Sequence, residues 1–193
     1  MKYLIAGLGN IGPEYKNTRH NIGFQILDAL AGASNISFSD KRYGFIAEYK
    51  YKARTFILLK PTTYMNLSGQ AVGDLLRFYK VSPNQVYVIH DDLDLEPGQI
   101  KVKIGGGHGG HNGLKSLDQH ITQDYWRVRM GIGHPGRSPG QEDRVAHYVL
   151  SNFSKTDEDW VTRLLSAICD EVVSLFGSEP GIWLTKIAEN LRR

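Results

Sequence analysis

The sequence predicts an α/β fold. It reads as a single-domain three-layer α/β/α sandwich spanning residues 1–193, on a twisted, mostly parallel mixed sheet. Three observations predict it. Short apolar runs alternate with segments of helical period, the pattern of a parallel sheet covered by helices on both faces. Val86-Tyr87-Val88-Ile89-His90 is a continuous run of the kind found in central parallel strands. Ile100–Ile104 and Trp126–Met130 alternate strictly between apolar and cationic residues, so each strand offers one face to a core and the other outward.

Composition sets the limits. A chain of 193 residues, 41% hydrophobic and 22% charged, is long enough to bury a real core. Its one cysteine, Cys169, rules out an internal disulfide or a cysteine-rich metal site and suits a reducing compartment. The apolar run after Met1 is too short for a signal or membrane segment, and no later stretch reaches spanning length. A cytoplasmic protein is expected. A net charge of +3 permits a nucleic-acid partner without demanding one.

Lys2–Gly7 reads as a buried first strand. Gly7-Leu8-Gly9-Asn10-Ile11-Gly12 then matches the dinucleotide fingerprint, but Pro13-Glu14-Tyr15 interrupts before any helix opens. The stretch fits a strand-to-loop exit better than a nicotinamide site. That loop carries Asn10, Tyr15, Arg19 and His20. A helix follows from near Thr18 or Asn21, with Ile22, Phe24, Ile26, Leu27 and Leu30 giving its apolar period. A histidine at a helix N-terminus feels a dipole that disfavours imidazolium. His20 is thus either a base held neutral or a capping or surface residue.

Phe45–Tyr49 and Thr55–Leu59 read as strands joined by a turn around Tyr51 to Arg54. Pro61 ends the second. In the loop Thr62–Gly69, Ser68 is the expected N-cap of a helix bearing Ala71, Val72, Leu75, Leu76 and Tyr79 on one face. Tyr64, Met65 and Asn66 stand at the strand exit, where open α/β sheets place ligands, although Met65 suits packing somewhat better. Asp91-Asp92-Leu93-Asp94 follows the central strand without calcium-loop spacing. A metal cluster of His90, Asp91, His108 and His111 is conceivable, but no strict ligand spacing supports it.

If the two alternating strands share a sheet, Lys101, Lys103, Arg127 and Arg129 form a basic strip suited to a phosphate backbone; otherwise they form a solvated face. Between the first of them and a helix beginning near Leu114 lies Gly105–Lys115, with six glycines among its first nine residues. Such a loop has little side chain to bury but much backbone to offer a ligand. Walker spacing fails, because Leu114 follows Gly113. Gly131–Arg144 reads as a second glycine- and proline-rich loop. From Ser154, boxed with Asp157, a long helix carries Val161, Leu164, Leu165, Ile168, Val172 and Phe176. The tail, with Trp183, Lys186, Arg192 and Arg193, reads as a short basic helix.

In such a sheet the exits after Gly7, Lys60 and His90 share one edge with the glycine loop. Asn10, His20, Asn66, Asp91 and Asn112 would cluster there. Neither a GxSxG elbow nor HExxH is present. A histidine, an aspartate and several asparagines without a nucleophile point to water activation. His20 would take the proton, Asp91 would hold its tautomer, and the amides would grip carbonyl and oxyanion. An ester suits this set better than an amide, since an alkoxide leaves with little acid help.

Over essentially its whole length the chain resembles the bacterial peptidyl-tRNA hydrolases. The carriers are Gly7–Asn10, Thr18–Gly23, Lys60–Gly69, His90–Asp94, Gly105–Lys115 and Gly131–Pro135. The resemblance implies cleavage of the ester between a peptide and the 3′ ribose of tRNA, freeing tRNA for translation. It implies His20 as base with Asp91 as its partner, and Asn10 as the residue that helps distinguish N-blocked from free aminoacyl groups. It implies substrate contacts from Tyr15, Tyr64, Asn66 and Asn112, with Lys103 and Arg129 gripping the 5′ phosphate beside the acceptor stem. Tyr64 replaces a phenylalanine common in relatives. A monomer without metal or cofactor is implied. Two other readings stay open from the residues alone: an RNA-binding module without catalysis, and a nicotinamide oxidoreductase.

Overall fold

The computed structural model describes residues 1–136, 140, 142–171 and 180–191. Its strands are β1 (Lys2–Gly7), β2 (Ser39–Lys41), β3 (Gly44–Tyr51), β4 (Arg54–Pro61), β5 (Val86–Asp92), β6 (Ile100–Ile104) and β7 (Trp126–Gly131). They form one seven-stranded sheet in the order β2-β3-β4-β1-β5-β7-β6. β4, β1, β5 and β7 run parallel at its centre, while β2, β3 and β6 are antiparallel at the edges. The sheet is therefore mixed, as the sequence predicts.

Side-chain alternation divides two cores. On β1, Tyr3 and Ile5 join Ile26, Leu27, Leu164 and Ile168 on one face; Leu4 and Ala6 join Val72, Leu75, Leu114 and Leu117 on the other. Helices α1 (Ile22–Ala33), α5 (Lys155–Asp170) and α6 (Pro180–Asn190) cover the first face; α2 (Ser68–Tyr79) and α3 (Asn112–Ile121) cover the second. Helix α4 (Glu142–Leu150) has no buried residue. Half-buried Cys169 sets its Sγ 3.7 Å from the Ala29 carbonyl oxygen, a packing role. No described helix is long and apolar enough to cross a membrane.

Several local expectations change. Ser68 is not the N-cap: a 3₁₀ turn, Met65–Leu67, runs straight into α2, and the Ser68 hydroxyl donates back to the Met65 carbonyl at 2.8 Å. Helix α3 starts at Asn112 rather than near Leu114, because the His111 imidazole caps it. The expected Gly131–Arg144 loop ends early, since α4 begins at Glu142 with Glu142 and Asp143 at its positive end. Within that loop, residues 137–139 and 141 lie outside the described set, as do Val172, Phe176, Arg192 and Arg193. The Ser154–Asp157 capping box opens α5 as expected.

One close approach fixes the site's frame. A β-carbon at Gly23 would fall 2.5 Å from the Leu8 nitrogen and 2.6 Å from the Ile89 carbonyl oxygen. Only glycine lets α1 start so near the ends of β1 and β5. The 3₁₀ turn Arg19–Asn21, just before α1, is thereby delivered to the carboxyl edge of the parallel strands.

Candidate active site

A cleft of about 1430 Å³ opens over that edge, where strand order departs from β1 towards β4 on one side and β5 on the other. Asn10, His20, Tyr64, Asn66, Asp91, Asn112, Lys103 and Arg129 all line it, with the glycine loop; Val145, Ala146, Val149 and Leu150 of α4 form an apolar wall. The expected clustering of strand exits is thus met. Tyr15 is the exception. It is half-buried outside the lining, and its carbonyl accepts from the Thr18 amide and hydroxyl.

His20 and Asp91 meet directly. The His20 Nδ1 lies 2.9 Å from both Asp91 oxygens. The ionised carboxylate accepts, so Nδ1 carries the proton and Nε2 keeps its lone pair. Burial opposes a charge on His20, but the Asp91 charge and hydrogen bond outweigh it and raise its pKa above the ordinary 6.5. This corrects the dipole-based expectation. The carboxylate in contact raises the ring's affinity for a proton, and the unprotonated ring carries its free lone pair on Nε2.

His111 is a residue that the sequence suggested as a polar group of the glycine loop or a member of a conceivable metal cluster, but not as a partner of Asp91 in proton chemistry. Its Nε2 lies 2.9 Å from Asp91 Oδ1, and its Nδ1 accepts from the Gly113 and Leu114 amides at 3.1 and 3.4 Å. A ring whose Nδ1 accepts is the Nε2–H tautomer, so it donates to Asp91. Burial of Asp91 disfavours its charge, yet the His20 and His111 rings hold its pKa well below the usual carboxylate range. The signal was local: a histidine just before the α3 period is a capping position. His90 plays no such part. Its Nδ1 lies 2.8 Å from the Asp91 carbonyl oxygen, and burial, with His111 beside it, pushes its pKa down to about 3.

Asn10 is held from three sides. Its amide donates to Asn21 Oδ1 at 2.9 Å, and its carbonyl accepts from Asn21 Nδ2 at 2.8 Å. Its own Oδ1 accepts from the Met65 amide at 3.1 Å, which leaves Nδ2 as the donor for the cleft. Asn21, buried and read from the sequence only as a possible helix start, therefore sets Asn10. Tyr64 is 72% exposed at the rim, and Asn66 and Asn112 are exposed in the cleft.

The basic strip is half as strong as expected. Lys101 pairs across from Arg129 and Lys103 from Arg127, so all four share a face. Arg127, however, is buried against α3, 2.8 Å from Asp118, and donates to the Gly107 carbonyl. It is a strut for the glycine loop. Arg129 bonds Asp92 at 2.7 Å and stays partly exposed; Lys101 and Lys103 are exposed.

His20, Asp91 and His111 bring ligand atoms within 4.8 Å of one another, a set different from the conceivable His90-Asp91-His108-His111 cluster. A cation on His111 Nε2 would require a proton on Nδ1, which the α3 amides already occupy. The donors fit proton chemistry better than metal binding. The glycine motif after β1 fares no better as a dinucleotide cradle, since α1 begins only at Ile22.

A family model described as peptidyl-tRNA hydrolase matches residues 4–190. A peptidyl-tRNA hydrolase of Rhodospirillum centenum is 50% identical over 96% of this chain and 80% of its own length. That of Rhodospirillum rubrum is 45% identical over 98% and 76%. The crystal structure of peptidyl-tRNA hydrolase from Acinetobacter baumannii gives a TM-score of 0.86 at 36% identity, covering 96% of this chain and 94% of that one. A match of that extent, on a chain whose strand exits converge on one histidine-aspartate cleft, makes this hydrolase a member of the peptidyl-tRNA hydrolase family.

Proposed function

We propose that the cleft cleaves the ester between a peptide and the 3′ ribose of tRNA by direct attack of water, with His20 as the base. The observation that carries this is the His20 ring, tied through Nδ1 to both oxygens of Asp91 and therefore presenting Nε2 as an acceptor. Nε2 removes a proton as water attacks the acyl carbon. The negative charge of Asp91 stabilises the imidazolium that forms. The oxyanion is met by asparagine amides, with Nδ2 of Asn10 and the side chains of Asn66 and Asn112 as the donors lining the cleft. Collapse expels the ribose 3′ oxygen, which recovers the proton from His20. No covalent intermediate is involved.

Asn10 would also read the acyl nitrogen and so favour N-blocked over free aminoacyl groups. Tyr64 offers an exposed ring at the rim on which a base of the 3′ end can stack. Lys103 and Arg129 would hold the 5′ phosphate beside the acceptor stem, while Tyr15, outside the lining, would meet only the periphery of the substrate. The enzyme would act as a monomer on 1–193 as one catalytic domain, in the cytoplasm.

The test compares N-acetyl-aminoacyl-tRNA with unblocked aminoacyl-tRNA, using the wild type and His20→Ala. Preferential cleavage of the blocked substrate is expected, with a loss of roughly 10²–10⁴-fold in the variant while tRNA still binds. Cleavage by His20→Ala at the wild-type rate would remove His20 from the chemistry.

A further inference from the structure

The geometry points to Arg19 as a positioning residue that holds the α4 wall of the cleft in place and so governs substrate capture, resting on the ester-hydrolysing reading of that cleft. Arg19 precedes His20 and is buried, a costly place for a charge unless it is partnered, and while its Nε has no partner, both terminal nitrogens are engaged. Its Nη2 lies 2.8 Å from Asp157, the capping-box partner of the α5 N-cap Ser154. Its Nη1 reaches Ser151 Oγ and the Asn152 carbonyl at 2.8 Å, and the Tyr148 and Ser151 carbonyls at 3.4 Å. Those carbonyls are at and just beyond the C-terminus of α4, where a cation is favoured. The guanidinium carbon also sits 4.2 Å from the centroid of the Tyr148 ring.

No residue of α4 is buried, yet Val145, Ala146, Val149 and Leu150 face the cleft. The Tyr148 hydroxyl donates to the Ile132 carbonyl at the exit of β7, a second tie. Backbone bonds from Arg19 to Ser151 and from Phe153 to Asn17 fasten only the connector after the helix. Arg19 thus joins the end of α4 and the start of α5 to the turn bearing the base. His20 itself is oriented from the other side, by Asp91. Loosening Arg19 should therefore disturb the wall and leave the base in place.

The experiment measures kcat and KM on N-acetyl-aminoacyl-tRNA across pH for Arg19→Ala, Arg19→Lys and Tyr148→Leu, with amide hydrogen exchange over residues 142–150. KM should rise about 10-fold in Arg19→Ala, with kcat within about 3-fold and the acid limb of kcat unmoved. Lysine keeps the charge but not the fork, so Arg19→Lys should fall between. Exchange in α4 should quicken in all three. Should Arg19→Ala fail to fold, Tyr148→Leu, which removes the stacked ring and the Ile132 bond, carries the same expectation. A fall in kcat with unchanged KM, a shifted acid limb, or unaltered exchange in α4 overturns the proposal. Exchange needs no substrate, so an inactive wild type would count against the hydrolytic reading alone.

Discussion

The imidazole of His20 and the carboxylate of Asp91, 71 residues apart in sequence, face each other with Nδ1 at 2.9 Å from each oxygen. The contact decides both the tautomer of the imidazole and its affinity for a proton, so the proposed role of His20 as base carries a definite pH dependence.

Burial alone would lower the His20 pKa, but Asp91 raises it above 6.5. The acid limb of kcat/KM should therefore have its midpoint above 6.5, and Asp91→Asn should move that midpoint down while lowering the rate. For stability the sign is equally determined. A folded pKa above the unfolded one means the pair's contribution is fully present below the unfolded value and fades as pH rises through the folded one. Urea midpoints across that range should decline more in the wild type than in His20→Asn. A flat difference would show that the two states bind the proton equally.

His111 donates to the same carboxylate and caps α3. His111→Ala should cost about 1 kcal/mol through the lost cap. It should also leave Asp91 with more charge for His20 alone, shifting the acid limb to higher pH. Calorimetry and a pH–rate profile read the two effects separately; an acid limb that stays put would mean His111 only caps.

Lys103 is exposed at the cleft, whereas Arg127, directly across from it, is consumed by Asp118 and Gly107. Lys103→Ala should weaken tRNA binding and reduce the log–log salt slope by about 1 without affecting stability. Arg127→Ala should instead destabilise the fold, by about 1–3 kcal/mol, because the half-buried Asp118 loses its ion pair and keeps only the Tyr125 hydroxyl and the Gln123 amide as donors. Filter binding at several salt concentrations and urea denaturation distinguish the two. An equal salt effect from both would contradict the division of the strip.

Gly23 admits no side chain between β1 and β5. Gly23→Ala should destabilise by about 1–3 kcal/mol or more and displace the His20 turn, so activity should fall beyond what unfolding explains. Full activity in the folded fraction would show that α1 can shift without consequence for the base.

Local pattern determined a good deal of this protein by itself. The bounds of β1 and β6, the capping box of α5 and the two-faced strands were readable because propensity and period act over a few residues. So was the convergence of Asn10, His20, Asn66, Asp91 and Asn112, which follows from parallel strands ending on one edge. Only the tertiary structure decided how charges and protons are shared. Arg127 and Lys103 look alike in an alternating strand, and it is the packing of α3 that buries one of them. Arg19 looks like a surface cation until α4 and α5 close around it, and His111 looks like a loop residue until its ring caps one helix and reaches Asp91. Periodicity tells which way a side chain points; what it meets there depends on elements far away in the chain, and at a site of buried charges that meeting determines the chemistry.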